Sequence, residues 1–403
     1  MSMEETPRSS RLHIGIFGRT NSGKSSLLNA LTNQDFAVVS SVAGTTTDPV
    51  YKTMEIHGIG PVVFIDTAGF DDKGELGKQR IEKTEDALEK TDVALVVFSP
   101  DSNLDFADEK KWLATLQNDK TPTVCVLNKC DTLNEEQIKS TSSLIEKLSN
   151  EKPICVSAKN KDGMEKIREA IIRKMPEDFT TRTITGNLCN EGDTVLLVMP
   201  QDIQAPKGRL IVPEMQVTRE LLDKKCIVLS CTADKIDETL DALKEPPHLI
   251  VTDSQVFKLV YEKKPAKSLL TSFSILMAAN KGDIKSYIEG ASAISTLTSK
   301  SRVLIAEACT HVPLAEDIGR EKIPNLLRKK AGKDLQVDIV SGSDWPKDLA
   351  KYDLIIHCGG CMFNRAYLLN RQHHAAEANI PMTNYGIAIA YMNDILSKVS
   401  IPQ

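Results

Sequence analysis

Three cysteines in the last quarter of the chain have the spacing of metal ligands. His357-Cys358-Gly359-Gly360-Cys361 separates two thiols by two glycines, and Cys309 lies two residues before His311. Thiolates bind iron-sulfur clusters and zinc, and paired glycines let the backbone turn so that both sulfurs face one centre. Two of these thiols could instead form a dithiol redox pair. The third cysteine favours a metal, and thiolate-rich spacing favours an iron-sulfur cluster over zinc.

A second group of motifs, within the first 160 residues, indicates phosphate binding. The segment 18–25 reads Gly-Arg-Thr-Asn-Ser-Gly-Lys-Ser and fits the phosphate-loop pattern between an apolar run and a helical segment. Backbone N–H groups of such a loop cradle a β-phosphate, Lys24 supplies positive charge to the β and γ oxygens, and Ser25 is the expected Mg²⁺ ligand. The expected nucleotide contacts of this loop are Gly18, Asn21, Ser22, Gly23, Lys24, Ser25 and Ser26.

Two further segments predict contacts around the γ-phosphate. Asp66-Thr67-Ala68-Gly69 follows a strand-like run, where a carboxylate orients Mg²⁺ and the Gly69 amide senses the γ-phosphate. Upstream, the loop-like Gly44-Thr45-Thr46-Thr47-Asp48 offers the Thr46 hydroxyl as a second Mg²⁺ ligand. We therefore expect Lys24, Thr46, Asp66 and Gly69 to serve hydrolysis.

Guanine specificity is predicted by two later segments. Asn128-Lys129-Cys130-Asp131 and Ser157-Ala158-Lys159 each follow a strand-like run. Asp131 can accept both N1–H and N2–H of guanine, whereas adenine offers neither donor and would leave a carboxylate unpaired. The predicted base contacts are Asn128, Lys129, Asp131, Ser157, Ala158 and Lys159, and the five motifs together predict a GTPase.

Alternating strand-like and helical segments must position these motifs. Short apolar runs at 13–17, 62–65, 93–98, 123–127 and 153–156 are typical of buried parallel strands with helical crossovers. Further runs near 195–198, 227–229, 249–251, 302–308, 336–340 and 353–357 alternate with helical segments, one of them predicted at 268–279. The predicted fold is α/β: a P-loop GTPase domain with a doubly wound, mainly parallel sheet, followed by two smaller α/β domains. Both Cys309 and Cys358 follow predicted strands, so they are expected at one sheet edge.

Composition shifts give the expected domain boundaries. At 403 residues the chain is too long for one ordinary core. We expect a flexible N-terminus over 1–10, the GTPase domain over 11–176, a polar linker over 177–184, a small α/β domain over 185–264 and a further α/β domain over 265–403. Roles for the last two domains follow only from the family resemblance given below.

Bulk properties exclude several classes of protein. The net charge of −5 argues against a general nucleic-acid binder, whose affinity comes from basic side chains. No apolar run reaches the length of a membrane span and no signal peptide is recognisable, so we expect a cytoplasmic protein. Nine cysteines, an odd number, do not indicate a disulfide framework. Cys125, Cys130, Cys155, Cys226 and Cys231 are expected to be reduced structural residues.

The nucleotide motifs resemble the translation-factor-related GTPases, in particular the Era, EngA and TrmE group. In that group an asparagine in the phosphate loop, here Asn21, is associated with a bound K⁺ that neutralises transition-state charge. Phe70 follows Gly69 where Ras-like enzymes have a water-orienting glutamine. The resemblance therefore implies slow hydrolysis that K⁺ or a partner stimulates.

Over its whole length the chain resembles the HydF family of FeFe-hydrogenase maturation GTPases. The resemblance lies in an N-terminal GTPase combined with Cys309-Thr310-His311 and with His357-Cys358-Gly359-Gly360-Cys361, which continues as Met362-Phe363-Asn364-Arg365. It implies that Cys309, Cys358 and Cys361 hold a 4Fe-4S cluster and that the middle region dimerises. It also implies a carried two-iron H-cluster precursor, supplied by radical-SAM maturases and passed to apo FeFe-hydrogenase.

The motifs leave the fourth cluster ligand open. His311 and His357 are candidates, as are Asp193, Asp202 and water, whereas His373-His374 is expected to be a solvated pair. The alternative function is an Era/TrmE-like ribosome-assembly or tRNA-modification GTPase with a C-terminal zinc site. The acidic balance of the chain counts against that alternative.

Overall fold

The computed structural model describes residues 7–32, 40–42, 50–56, 58–67, 83–100, 105–200, 210–307, 317–342 and 344–403. The chain forms two compact units, Met1–Thr181 and Arg182–Gln403. The division between them falls inside the predicted linker. Of the predicted site residues, Thr46, Gly69, Asp202, Cys309 and His311 lie outside the described residues.

The first unit is built on one sheet of seven described strands. They are β1 (Leu12–Phe17), β2 (Ser40–Val42), β3 (Val50–Ile56), β4 (Gly60–Asp66), β5 (Val93–Phe98), β6 (Thr123–Leu127) and β7 (Ile154–Cys155). The helices are α1 (Lys24–Thr32), α2 (described over residues 83–89), α3 (Ala107–Asn118), α4 (Glu135–Ser149) and α5 (Met164–Lys174).

The strand order is β2-β3-β4-β1-β5-β6-β7. Pairing is parallel from β4 to β7 and antiparallel for β2–β3 and β3–β4. Every residue of β1 and β5 is buried, because helices cover both faces of the sheet and only an apolar run suits such a strand. This confirms the predicted P-loop GTPase fold with a doubly wound, mainly parallel sheet.

The second unit contains two four-stranded parallel sheets, which confirms that smaller α/β domains follow. The first sheet has the order β11-β10-β8-β9, with β8 (Thr194–Val198), β9 (Ile227–Cys231), β10 (Leu249–Thr252) and β11 (Leu269–Ser272). The second has the order β13-β12-β14-β15, with β12 (Arg302–Glu307), β13 (Gln336–Ser341), β14 (Leu354–His357) and β15 (Met382–Asn384). Helices α6 to α13 are Val212–Asp223, Ile236–Asp241, Phe257–Lys263, Phe273–Lys281, Ile284–Ala291, Ile323–Ala331, Arg365–Glu377 and Tyr385–Met392.

The sequence pattern predicts one helix over 268–279, and this prediction is wrong for the first part of the segment. Leu269–Ser272 forms β11 and pairs with β10, and α9 begins at Phe273. The Ser272 side chain accepts a hydrogen bond from the Ile275 N–H, which caps the helix and ends the strand. The first small sheet therefore extends past residue 264, where the sequence had placed a boundary.

The second small sheet positions the paired thiols. β14 is fully buried and ends at His357, so Cys358 begins the loop at the carboxyl end of the sheet. Helix α12 starts at Arg365, four residues after Cys361. Within the described residues, no helix has the length and apolar composition needed to cross a membrane.

Candidate functional sites

The phosphate loop connects buried β1 to α1, which begins at Lys24. Asn21 and Gly23 have positive φ angles of 61° and 89°. A Cβ atom on Gly23 would lie 2.3 Å from Asn128 Nδ2, so this position admits no side chain. The loop is thus pressed against the strand-end residue of a second motif.

The Lys24 side chain is hydrogen-bonded to the backbone of the phosphate loop. Its side chain is only 7 % exposed, and Nζ donates to the carbonyl oxygens of Gly18 at 2.6 Å and Arg19 at 2.8 Å. A buried ammonium requires such acceptors. The same group can donate to phosphate oxygens of a bound nucleotide, which would place its charge where the sequence predicts it.

Ser25 and Asp66 converge from α1 and from the end of β4. Ser25 Oγ donates to Asp66 Oδ2 at 2.8 Å, whereas the buried Asp66 Oδ1 has no hydrogen-bond partner within the described part of the chain. Burial raises the pKa of Asp66 above its ordinary value, and the Ser25 hydrogen bond and Lys24 oppose this effect. A hydroxyl beside an unpartnered carboxylate oxygen fits Mg²⁺, which prefers oxygen ligands.

Asn128 joins the phosphate loop to the second guanine segment. Its buried amide donates through Nδ2 to the Ser22 carbonyl at 3.0 Å and accepts at Oδ1 from the Ala158 N–H, also at 3.0 Å. Both donor and acceptor are therefore used on backbone groups of other loops. Asn128 holds together three loops that the sequence predicts to surround one nucleotide.

The two guanine segments expose only part of their side chains, because Ser157 and Ala158 are buried. Lys129 has a positive φ of 61° and precedes a 3-10 turn at Cys130–Thr132, while Asp131 and Lys159 are exposed. Ser157 and Asp162 exchange backbone hydrogen bonds at 3.1 and 3.0 Å, which closes the second segment into a tight loop. The Asp131 carboxylate is thus accessible to a ligand.

Sequence reasoning missed an ion-pair cluster at the phosphate loop. Arg19 Nε donates to Glu109 Oε2 at 2.9 Å, and Arg19 Nη2 donates to Asp105 Oδ1 at 2.7 Å. The Glu109 side chain is 1 % exposed, and burial raises its pKa while Arg19 opposes the rise. No local pattern links these residues, because the carboxylates lie 86 and 90 positions after Arg19.

The paired thiols lie in a turn that directly follows β14. Gly360 has a positive φ of 58°, and its N–H lies 3.5 Å from Cys358 Sγ as a donor. A Cβ atom on Gly360 would lie 2.8 Å from Leu368, so glycine is required there for two reasons. Cys358 and Cys361 are both partly exposed, as ligands at an accessible centre must be.

Lys281 fixes the thiol turn from below. Its side chain is buried, and Nζ donates to the carbonyl oxygens of Gly360 at 3.0 Å, Cys361 at 3.1 Å and Phe363 at 2.8 Å. Arg365 donates to the carbonyls of Asn280 and Gly282, at 3.1 and 3.0 Å. These bonds connect the start of α12 to the end of α9, the helix that carries Lys281. The structure therefore places the Lys281 cation against the backbone of the thiol turn.

His357, a predicted fourth-ligand candidate, is fully buried with both ring nitrogens engaged. Arg371 Nη1 lies 2.9 Å from Nε2, and Nδ1 lies 2.8 Å from the Cys358 carbonyl. Arg371 can only donate, so Nε2 is the acceptor and Nδ1 carries the proton. Burial lowers the pKa of His357 to about 3, and the Arg371 charge adds to this effect. This geometry favours a structural role for the ring.

Two buried tyrosine hydroxyls near Cys358 support a negatively charged group in this pocket. Among the residues that the structure describes, the hydroxyls of Tyr287 and Tyr385 have no hydrogen-bond partner. Burial raises both pKa values, and the charge of a Cys358 thiolate would add to the rise, so both hydroxyls remain protonated donors. Phenol donors together with Lys281 fit an anionic, thiolate-bound cluster.

The remaining fourth-ligand candidates are only partly described. Asp193 Oδ2 accepts from the Asn190 N–H at 2.8 Å and lies 3.8 Å from His248. His373, which the sequence assigns to a solvated pair and not to the ligands, lies 3.4 Å from Glu377 and is partly exposed. Among the described residues, no three His, Cys, Asp or Glu side chains form a metal-sized group. Cys309 and His311 fall outside that set, so the complete ligand set stays a prediction.

Family models divide the chain in agreement with its sheets. Residues 285–402 match the model of the hydrogen maturase F tetramerization domain, and residues 184–282 match that of the hydrogen maturase F dimerization domain. Together these two models cover more than half of the chain. Residues 13–129 match the 50S ribosome-binding GTPase model.

Curated relatives match the GTPase region. GTPase Der of Wolinella succinogenes is 39 % identical over 193 residues, which is 46 % of this chain and 40 % of the relative. The tRNA modification GTPase MnmE of Natranaerobius thermophilus is 35 % identical over 157 residues, or 39 % of this chain and 33 % of the relative. The chain thus spans less than half the length of these relatives. Aquifex aeolicus Era bound to GDP and AlF4⁻ aligns with a TM-score of 0.35 at 19 % identity, covering 58 % of this chain and 98 % of Era.

Proposed function

The chain belongs to the HydF family, and on that premise we propose that it is a GTP-hydrolysing scaffold for assembly of the FeFe-hydrogenase active site. It binds a 4Fe-4S cluster and carries the two-iron precursor of the H-cluster. Radical-SAM maturases supply this precursor, and apo FeFe-hydrogenase receives it. The protein acts in the cytoplasm as a homodimer or a higher oligomer.

The observation that carries the nucleotide part is the meeting of four motifs at one loop. Lys24 is held at the mouth of the loop, Ser25 faces Asp66, and Asn128 ties the loop to the second guanine segment. Bound Mg²⁺ neutralises charge on the β and γ oxygens, and Ser25, Thr46 and Asp66 are the residues proposed to hold it. Asp131 selects guanine, and Gly69 responds to the γ-phosphate.

Hydrolysis by this site is proposed to be slow and stimulated by K⁺. Asn21 adopts the left-handed conformation in the phosphate loop, which turns this residue away from helical geometry just before α1. An asparagine there can offer its side-chain oxygen to a cation beside the phosphates. The rate in K⁺ compared with Na⁺, at equal ionic strength, tests this point, and equal rates would refute it.

The cluster part is supported by the charge and donor pattern around Cys358 and Cys361. Three thiolates bring more negative charge than the positive charge of a 4Fe-4S core offsets, and Lys281 and the phenol donors of Tyr287 and Tyr385 suit an anion. Cys309 is proposed as the third ligand. A cluster with three cysteine ligands keeps one iron site for the fourth ligand, where His311, an aspartate, water or the precursor itself could bind.

Anaerobic reconstitution with iron and sulfide, followed by EPR and iron analysis with and without GTP, tests the proposal. We expect about four iron atoms per chain, a reduced 4Fe-4S signal, and a change in that signal when nucleotide binds. A colourless protein that holds only stoichiometric zinc would refute the cluster. Lack of GTP hydrolysis by the same sample would refute the enzymatic part independently.

A further inference from the structure

Two cysteines with no role in the proposed chemistry lie in the two guanine segments. Cys130 stands between Lys129 and Asp131, and Cys155 ends β7, two residues before Ser157. The Cys130 N–H donates to the Val156 carbonyl at 3.0 Å, which brings the segments side by side. The Cys130 thiol donates to the Leu127 carbonyl at 3.2 Å, and Leu127 is the residue of β6 that pairs with Cys155 of β7, so both thiols lie at the same strand end. One sulfur pair therefore spans the two loops that the sequence predicts to hold the base.

The surroundings of this pair make Cys155 the reactive member. The neighbouring Cys130 thiol lowers the pKa of Cys155 to about 6, despite an opposing effect of burial. Ser142 Oγ lies 3.5 Å from the Cys155 sulfur and contributes in the same direction. The pKa of Cys130 is raised, because the neighbouring Cys155 sulfur and burial both disfavour its thiolate. Thiolates, not thiols, are the nucleophiles.

A neighbouring cysteine on the preceding strand provides a contrast. Cys125 is 3 % exposed, and burial raises its pKa to about 11. Cys130 and Cys155 are instead partly exposed. A small oxidant can reach the pair but not Cys125.

We propose that Cys130 and Cys155 form a peroxide-sensitive thiol pair whose oxidation to a disulfide joins the two guanine segments. The Cys155 thiolate attacks one oxygen of a hydroperoxide, the O–O bond breaks, and with one proton the products are a sulfenic acid and water. The Cys130 thiol then displaces the sulfenic hydroxyl as a second water, forming the S–S bond. The two thiols lose two electrons and two protons, and H2O2 gains them.

Closure of the disulfide moves the base-recognition residue. A disulfide holds its sulfurs about 2.05 Å apart, so the Cys130 sulfur must leave the Leu127 carbonyl and draw Cys130 toward β7. Asp131 is the next residue and moves with it. Since paired hydrogen bonds to guanine N1–H and N2–H depend on its position, the oxidised protein binds guanine nucleotides more weakly. This consequence rests on the proposed nucleotide site, whereas formation of the disulfide does not.

The test uses the full-length protein, purified anaerobically and treated with hydrogen peroxide, with Cys130→Ser, Cys155→Ser and the control Cys125→Ser. Peptide mapping without reduction should find Cys130 and Cys155 cross-linked, with a loss of about 2 Da relative to the two free peptides. The dissociation constant of a fluorescent GDP analogue should rise by about tenfold or more and return with dithiothreitol. Both effects should vanish in the first two variants and persist in Cys125→Ser.

Each other outcome separates the two proposals. No cross-link, or a sulfinic acid on Cys155 in place of one, overturns the thiol pair. A cross-link with unchanged GDP affinity overturns its coupling to the nucleotide site. Reduced wild-type protein that fails to bind GDP refutes the proposed nucleotide site, while the peptide map still decides the thiol pair.

Discussion

Replacing Lys281 with methionine removes the buried ammonium under the thiol turn while keeping most of its volume. Three carbonyl oxygens, of Gly360, Cys361 and Phe363, then lose a donor at 2.8 to 3.1 Å. Hydrogen bonds to charged groups contribute about 1.5–3 kcal/mol each, and burial of the ammonium offsets part of that sum. We expect Lys281→Met to destabilise the second unit by about 2–4 kcal/mol.

Urea unfolding with a fluorescence readout measures this loss. The two tryptophans, Trp112 and Trp345, lie in different units, so a Trp112→Phe background leaves Trp345 to report on the second unit alone. Trp345 stacks against Arg371, with the guanidinium 4.6 Å from the ring centroid, and should respond strongly to unfolding. The expected loss lowers the unfolding midpoint by about 1 M urea.

A matched control uses the exposed Lys285 on the next helix. Lys285→Met should change stability by no more than about 0.5 kcal/mol. Anaerobic reconstitution of both variants adds a second readout, because a loosened turn should reduce the iron bound per chain only in Lys281→Met. Equal midpoints in the two variants, or a destabilised Lys281→Met that retains full iron, would refute the reasoning.

Two further predictions test whether the nucleotide site and the cluster site are independent, and whether Asn128 couples the loops of the nucleotide site. Lys24→Ala should abolish GTP hydrolysis and leave the 4Fe-4S EPR signal intact. Cys358→Ser should lose that signal and keep hydrolysis. A folded variant that loses both activities would contradict the independence of the two sites. Asn128→Ala leaves the Ser22 carbonyl and the Ala158 N–H unpaired at about 1–3 kcal/mol each. Binding of a fluorescent GDP analogue should weaken by about tenfold or more. Asn134→Ala, which removes only the cap of α4, is the control and should leave that affinity unchanged.

The strands that carry motifs were readable from the sequence because they are buried on both faces. Continuous short apolar runs such as 93–98 indicate buried strands, and the motif residues follow such runs directly. The strands that were missed lack this signal. β3 alternates apolar and polar residues at the antiparallel end of the sheet, and β11 is only four residues long and runs directly into a helix.

The sequence could not indicate which side chains support the sites. Lys281 appears as an ordinary lysine at the end of a helix, and its acceptors lie 79 to 82 positions later. The sequence spacing of His357 suggested a metal ligand, but its Nε2 atom accepts a hydrogen bond from Arg371. Both relations depend on which helices cover the carboxyl edge of the second small sheet, and no local pattern encodes that arrangement.

The Asn128 amide also has a consequence for the kinetics of nucleotide exchange. The Asn128 side chain is hydrogen-bonded to the backbones of both the phosphate loop and the Ser157 segment. If either loop opens, Asn128 loses one of these bonds and holds the other loop less firmly. Release of the base and release of the phosphates become a single event with one barrier. Dissociation of GDP should therefore follow a single exponential, and the nucleotide-free state should be one in which both loops have loosened together.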